Sequence, residues 1–399
     1  MSPSTSRLVL LFLCCLFIFS LRVFTLWEGM FEISHRVGTN GNEIKLLGHP
    51  WTSQIDYDLE PFKNGIDSIL LNKAIDAVNK TSGYYVSIRK NIIYYVELGN
   101  MVASETPNDL LLLLAKASMC FKIVDVDFVI QFNDYCDEKN LPIFGWNKHI
   151  SSSCLLYPWV QFLWNKQYHT YRPMWADKIS KGIFRGSTTG GIYDLHTWNL
   201  QHRSKLVLFC LSHQNLCDAS FTNIVQATPE GKIAILKNLS LSKALTYDEE
   251  IKFKYIILID GNGAPASRSA KAFASSSVVI KQESEYMEFF YSSLRPWVHY
   301  VPISVNLEDL GNKLKWLQKH DDLAQKLANG SLLFSRKYFT DFIISDYIAS
   351  LLNRYGSLYT SSGVLTASKR LKVSKDVISY IHAQSDPLFQ KRCKNVHMY

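Results

Sequence analysis

Three places in this 399-residue chain combine residue types and spacing suited to chemistry. The first is residues 255–284, YIILIDGNGAPASRSAKAFASSSVVIKQES. A run of apolar residues ends in Asp260, a Gly-Asn-Gly-Ala-Pro turn follows, residues 266–274 read as a short helix, and residues 277–280 begin another strand. In such a unit the helix N-terminus points beyond the strand end. Its unpaired N–H groups and dipole attract anions, and Arg268 in the first turn adds a planar fork suited to phosphate. The second place is the loop FRGSTTGG at 184–191, where small hydroxyl residues and glycine allow backbone N–H groups close to a phosphate or sugar. Arg185 and Arg203 are both candidates for diphosphate there. The third is Asp134, at the end of an apolar strand and followed by Asp137 and Glu138. A carboxylate at a strand end, facing a cleft, can take the proton of an acceptor hydroxyl.

These residues need elements to hold them. The chain is too long for one ordinary core, which favours two domains. With 47% hydrophobic and 20% charged residues it is globular rather than disordered. A net charge of +8 is compatible with nucleic acid, an anionic membrane or a polyphosphate ligand. No nucleic-acid-binding motif with interleaved aromatics is present, which argues against the first.

Apolar periodicity predicts a helix over 58–80, strands over 84–88 and 91–98, a helix over 110–117, and strands over 121–132 and 141–146. From residue 182 the rhythm becomes regular. Strands are expected at 182–185, 234–236, 255–259, 277–280 and 299–302 with helices between several of them, the alternation of a parallel α/β sheet. A leucine stripe predicts one helix over 306–329, with Gly330 just past its end. A last helix spans 340–354, before a basic tail.

Residues 8–21 form an apolar run behind Arg7. Extended to Trp27 it reaches the length that spans a bilayer. No Ala-x-Ala-like cleavage site follows, so an uncleaved signal anchor is the reading, placing the remainder in the secretory pathway. The boundaries that follow are a cytoplasmic stub and anchor at 1–27, a first α/β domain at 28–175, a second at 176–339, and a C-terminal helix and basic tail at 340–399. Cys14 and Cys15 lie in the apolar run. The other six, Cys120, Cys136, Cys154, Cys210, Cys217 and Cys393, permit three disulfides in fifteen pairings, among which the sequence does not choose. Asn79, Asn238 and Asn329 open glycosylation sequons. No cysteine or histidine cluster has zinc spacing, and no metal site is expected.

The turn Gly261-x-Gly263-x-x-Ala266 also satisfies the glycine fingerprint of a dinucleotide site, with Glu283 as ribose partner. A nicotinamide-dependent oxidoreductase is therefore one alternative reading, and a non-catalytic lumenal sugar-binding protein is another. Several ordered motifs favour neither. FRGSTTGG (184–191), HRSKLV (202–207), YIILIDGNGAPASR (255–268) and EFFYSSLRPWVHYVPI (288–303), with DLEPFKNGI (58–66) and DVDFVIQFND (125–134) upstream, resemble glycosyltransferase family 90 over about residues 57–357.

The resemblance implies a GT-B fold, with two Rossmann-like domains facing across a cleft. It also implies inverting transfer of a sugar, glucose or xylose, from a UDP-sugar to a protein or glycan hydroxyl in the endoplasmic reticulum or Golgi, without a metal. The family's base falls on Asp134, although Tyr135-Cys136 stands where the family has Tyr-Pro. Its diphosphate site falls on Ala266, Ser267 and Arg268, and its FRGS serine on Ser187; Arg185, Gly186, Gly263 and His299 join them as donor-binding candidates from the residues themselves. The donor-loop arginine falls on Arg203, after a longer insert.

Overall fold

The structure, a computed structural model, describes residues 52–100, 106–158, 172–265, 267–360, 369–371 and 387–393. The apolar run at 8–27 and Ala266 lie outside them. Among the described residues no helix is long and apolar enough to cross a membrane. The strands in chain order are β1 (Ser82–Arg89), β2 (Ile92–Gly99), β3 (Val126–Gln131), β4 (Ile143–Gly145), β5 (Asn147–His149), β6 (Leu155–Leu156), β7 (Ile179–Ser187), β8 (Cys217–Asn223), β9 (Phe253–Leu258), β10 (Val278–Gln282), β11 (Tyr286–Glu288), β12 (Val301–Ile303) and β13 (Lys369–Leu371).

They form two main sheets within one compact unit, His49–Tyr399. The second sheet runs β12-β10-β9-β7-β8, and every pairing in it is parallel. Counted from β8, the order is second, first, third, fourth, fifth. This is the doubly wound arrangement, whose chain reverses direction across the sheet between β7 and β9. Residues of β9 and β10 are buried on both faces except Phe253, which explains why they read as unbroken apolar runs.

The first sheet runs β13-β2-β1-β3-β4-β6. It is mixed, which departs from a plain Rossmann-like half. β3, β4 and β6 are parallel, whereas β1 pairs antiparallel with both β2 and β3. The cause is a two-residue hairpin at Lys90-Asn91, whose φ values of 50° and 60° suit the turn that matches strand twist. A short ribbon, β5 paired antiparallel with β11, joins the two halves.

Three expected elements differ. Residues 234–236 lie in the helix Pro229–Asn238 rather than a strand, because Thr228 caps that helix by accepting from Gly231 N–H and Pro229 opens it. The strand of that unit is the largely polar edge strand β8. The helix expected over 306–329 is two helices, Leu310–Lys319 and Asp321–Tyr338, broken at His320. Gly330 lies inside the second: a β-carbon there would come within 2.0 Å of the Val298 carbonyl oxygen, so glycine permits a close backbone approach. The helix expected over 58–80 is likewise two, Thr52–Leu59 and Ser68–Asn79, the latter capped by Asp67.

Past residue 340 the chain returns to the first sheet. The helix Asp341–Leu358 packs on Thr106–Cys120, with a buried Lys116–Asp341 ion pair at 2.7 Å, and β13 extends the sheet beside β2. The disulfides are Cys120–Cys393, Cys136–Cys154 and Cys210–Cys217. The first ties the C-terminal segment to this half. The second closes the loop that follows Asp134. Asn79, Asn238 and Asn329 are all exposed.

Candidate active site

In doubly wound sheets, ligands bind beyond the carboxyl ends of the strands at the point where the chain reverses. Here that point lies between the ends of β7 and β9, from which the two glycine loops extend. A cleft of about 620 Å³ opens there, and Thr189, Gly190, Gly191, Asp260, Gly261 and Asn262 line it from the second half. Asp134 and Tyr135 reach it from the first half.

The backbone of Asp134 is pinned. Its carbonyl accepts from Asn147 Nδ2 at 2.5 Å and from Trp146 Nε1 at 3.3 Å. The following residue is held by Gln131 Nε2, which donates to the Tyr135 carbonyl at 3.0 Å. Cys136 exchanges backbone bonds with Asn147 and His149. The side chain remains exposed, and its Oδ2 accepts from Asn262 Nδ2 at 2.7 Å. Beneath this loop, Lys148 of β5 is buried with Asp58 at 2.7 Å and also donates to the Cys154 carbonyl.

On the other side Arg203 joins the two strand ends. Its Nε donates to the Asp260 carbonyl at 2.9 Å, its Nη1 to the Ser187 carbonyl at 2.9 Å, and its Nη2 reaches the Ile259 carbonyl. A β-carbon on Gly261 would meet Arg203 Nη2 and Thr189 Oγ1 at 2.6 Å, so a larger residue there would push both side-chain tips aside. Gly263 packs against Asn147 and Tyr135 across the seam between the halves. Gly186 lies beside the Phe184 ring and Arg203. Ser267 opens the helix Ser267–Ala274, and Arg268 lies over the Phe184 ring, 5.0 Å from its centre, with Arg203 at 5.7 Å from the same ring.

Two guanidinium groups thus share one aromatic ring. Burial, then the like charge of Arg268, depresses the Arg203 pKa to about 10, and burial lowers that of Arg268, opposed by Glu250. Glu250 is itself held above the ordinary carboxylate range by burial. Neither arginine lines the cleft, whose charged lining is the carboxylates Asp134, Asp260, Glu283 and Glu285; Arg203 acts on it through the Ser187 and Asp260 carbonyls that it holds. The N-termini of the helices His202–Ser212 and Ser267–Ala274 carry the partial positive charge that attracts anions.

Two expected donor residues lie elsewhere. Arg185 turns from the cleft to bind Asp218 bidentately, with both bonds at 2.8 Å. His299 is packed on Phe334, and its Nδ1 accepts from the Arg295 N–H at 3.0 Å. Burial pushes its pKa down to about 4, so it is a neutral, structural imidazole. Ala266 is outside the described residues. Sequence reading passed over Asn262, Asn147, His202, Gln282 and Tyr286 as site residues. Asn262 had a signal, a polar residue between two turn glycines at a strand end; the others had none.

Asp260 is the most perturbed carboxyl group in the cleft. Burial raises its pKa to about 6, against stabilisation by the Ser284 hydroxyl and the charges of Lys281 and Arg203. A raised carboxyl pKa means that the folded state binds more protons than the unfolded state between about pH 4 and pH 6, so stability falls as pH rises through that window. Asp260→Asn should therefore stabilise the protein by about 2–3 kcal/mol above pH 6. The gain should vanish near pH 4, as measured by thermal unfolding of both proteins across that range. An equal effect at all pH values would contradict it.

The fold and site define a doubly wound α/β protein with two glycine loops at its switch point and a carboxylate facing them from a second sheet. The chain belongs to glycosyl transferase family 90, whose profile matches residues 50–386. It is 26% identical over 362 residues to Protein O-glucosyltransferase 2 of Danio rerio, covering 86% of this chain and 67% of that one. It is 28% identical to Protein O-glucosyltransferase 3 of Rattus norvegicus, over 75% of this chain and 60% of the relative. Against Protein O-glucosyltransferase 1 of Homo sapiens it is 26% identical, over 75% and 78% of the two chains. The chain thus spans between three fifths and four fifths of the length of these relatives.

Proposed function

We propose that this protein transfers a sugar, glucose or xylose, from a UDP-sugar to a hydroxyl group of a protein acceptor, with inversion at the anomeric carbon. The observation that carries the reading is the Asp134 carboxylate lining one cleft with the switch-point loops around Gly190 and Gly261, the second of which Arg203 holds by the Asp260 carbonyl. The fold is read as GT-B, with the acceptor bound on the first half and the nucleotide on the second.

In this mechanism the acceptor oxygen attacks the anomeric carbon while its proton passes to Asp134. The bond from that carbon to UDP breaks, and its electron pair leaves on the diphosphate. Removing the proton as the new bond forms is general-base catalysis. The departing charge is met, without a metal, by fixed positive groups: the Arg203–Arg268 pair and the two helix N-termini. Glu283, which lines the cleft, is suited to the ribose hydroxyls. Three disulfides and exposed sequons fit a lumenal location in the secretory pathway, held by the N-terminal segment as a type II anchor.

The test is to offer the purified protein UDP-glucose, UDP-xylose and other UDP-sugars, with folded secretory proteins as acceptors. UDP release that depends on acceptor, with the acceptor gaining the mass of one sugar, is the expected result. If NAD raises the melting temperature and UDP does not, the oxidoreductase reading replaces this one. If UDP binds but no sugar is transferred or hydrolysed, the protein is a binding module.

A further inference from the structure

Asn262 occupies the seam where the two loops of the second half meet the carboxylate of the first. Its Oδ1 accepts from the Gly190 N–H at 3.0 Å, and its Nδ2 donates to Asp134 Oδ2 at 2.7 Å. The first bond sets the orientation of the amide: a backbone N–H can face only its oxygen, so the NH₂ group must face the carboxylate. Gly190 has the left-handed φ of 90°, and a β-carbon on it would come within 2.8 Å of the Gly261 carbonyl oxygen. The FRGSTTGG loop and the Gly-Asn-Gly turn are therefore fitted to each other at this point, and the amide is fixed by that fit.

A carboxylate on an exposed side chain samples several rotamers, and only some aim an oxygen at an acceptor hydroxyl. The bond from Asn262 selects one. It occupies Oδ2 and leaves Oδ1 to take the proton. Because the amide depends on Gly190, the arrangement of the base depends on the loop at the donor end of the cleft. We propose that Asn262 is a positioning residue, which orients Asp134 from across the cleft and couples that orientation to the glycine loop at the donor site.

This inference rests on the reading of Asp134 as the base, and the experiment separates the two. Asn262→Asp keeps an oxygen for the Gly190 N–H but removes the NH₂ donor. Asn262→Ala removes both. In the full chain, each should lower kcat by about tenfold to a hundredfold, the scale of a misplaced catalytic group. Added to Asp134→Asn, neither should lower the residual rate of UDP release further, because a residue that acts through Asp134 has nothing left to position. Normal kcat in Asn262→Asp would overturn the role, as would a full additional loss in the double variant. If Asp134→Asn alone turns over normally, the base assignment fails instead. If it is inactive while Asn262→Asp is normal, only the positioning role fails.

Discussion

Asp134→Asn is expected to lower sugar transfer by about 10²- to 10⁴-fold, the usual contribution of a general base, while UDP binds as it does to the unaltered protein. The substitution changes little else. The bonds that hold this residue from Trp146 and Asn147 go to its backbone carbonyl, which asparagine retains. The side chain is exposed, so burial contributes little to the comparison. In the proposed function the nucleotide is held by the other half of the molecule, whose loops the substitution leaves unchanged. A split between lost turnover and retained UDP affinity, read by steady-state kinetics and calorimetry, is thus specific to a group that acts in the chemical step. Turnover near normal would remove Asp134 from the mechanism.

The second large effect is expected beneath the same loop. Lys148→Met should destabilise the protein by about 3–5 kcal/mol, the scale of breaking a buried ion pair from one side. Asp58 is fully buried, and burial pushes its carboxyl pKa up against the attraction of Lys148. Without that cation the carboxylate keeps only Gln54 Nε2 and the Leu156 N–H as partners. Because its folded pKa is already raised, its penalty grows as pH rises, so the variant should lose most at neutral pH and less in acid. Adding Asp58→Asn should recover part of the loss, since the unpaired charge is then absent. Urea unfolding of the single and double variants checks both statements. Equal loss in the two would show that Lys148 acts through its packing alone.

The second half of the molecule was more legible in the sequence than the first. Residues 255–259 and 277–280 read as strands because central parallel strands are buried on both faces and so form continuous apolar runs. β8 was missed because it is an edge strand carrying Asp218, Ser220, Thr222 and Asn223. The break at His320 did carry a signal: at about 100° per residue, Leu323 and Leu327 lie off the face shared by Leu307, Leu310, Leu314 and Leu317, so the stripe changes phase there, and Leu323 is exposed. Gly330 was misplaced because the close approach of Val298 that requires glycine lies in another segment.

At the site, the sequence by itself determined the catalytic vocabulary: a strand-end carboxylate at Asp134, two glycine loops and the arginines near them. Those are local patterns, in which a strand, a turn and a helix start are specified by neighbouring residues. Only the tertiary structure decided the choice among fifteen cysteine pairings, the turn of Arg185 to Asp218, the burial of His299 against Phe334, and the meeting of Asn262 with Asp134 across 128 residues of chain. Each of these depends on which surfaces the two sheets present to each other. The packing of distant segments sets that, and no local pattern records it.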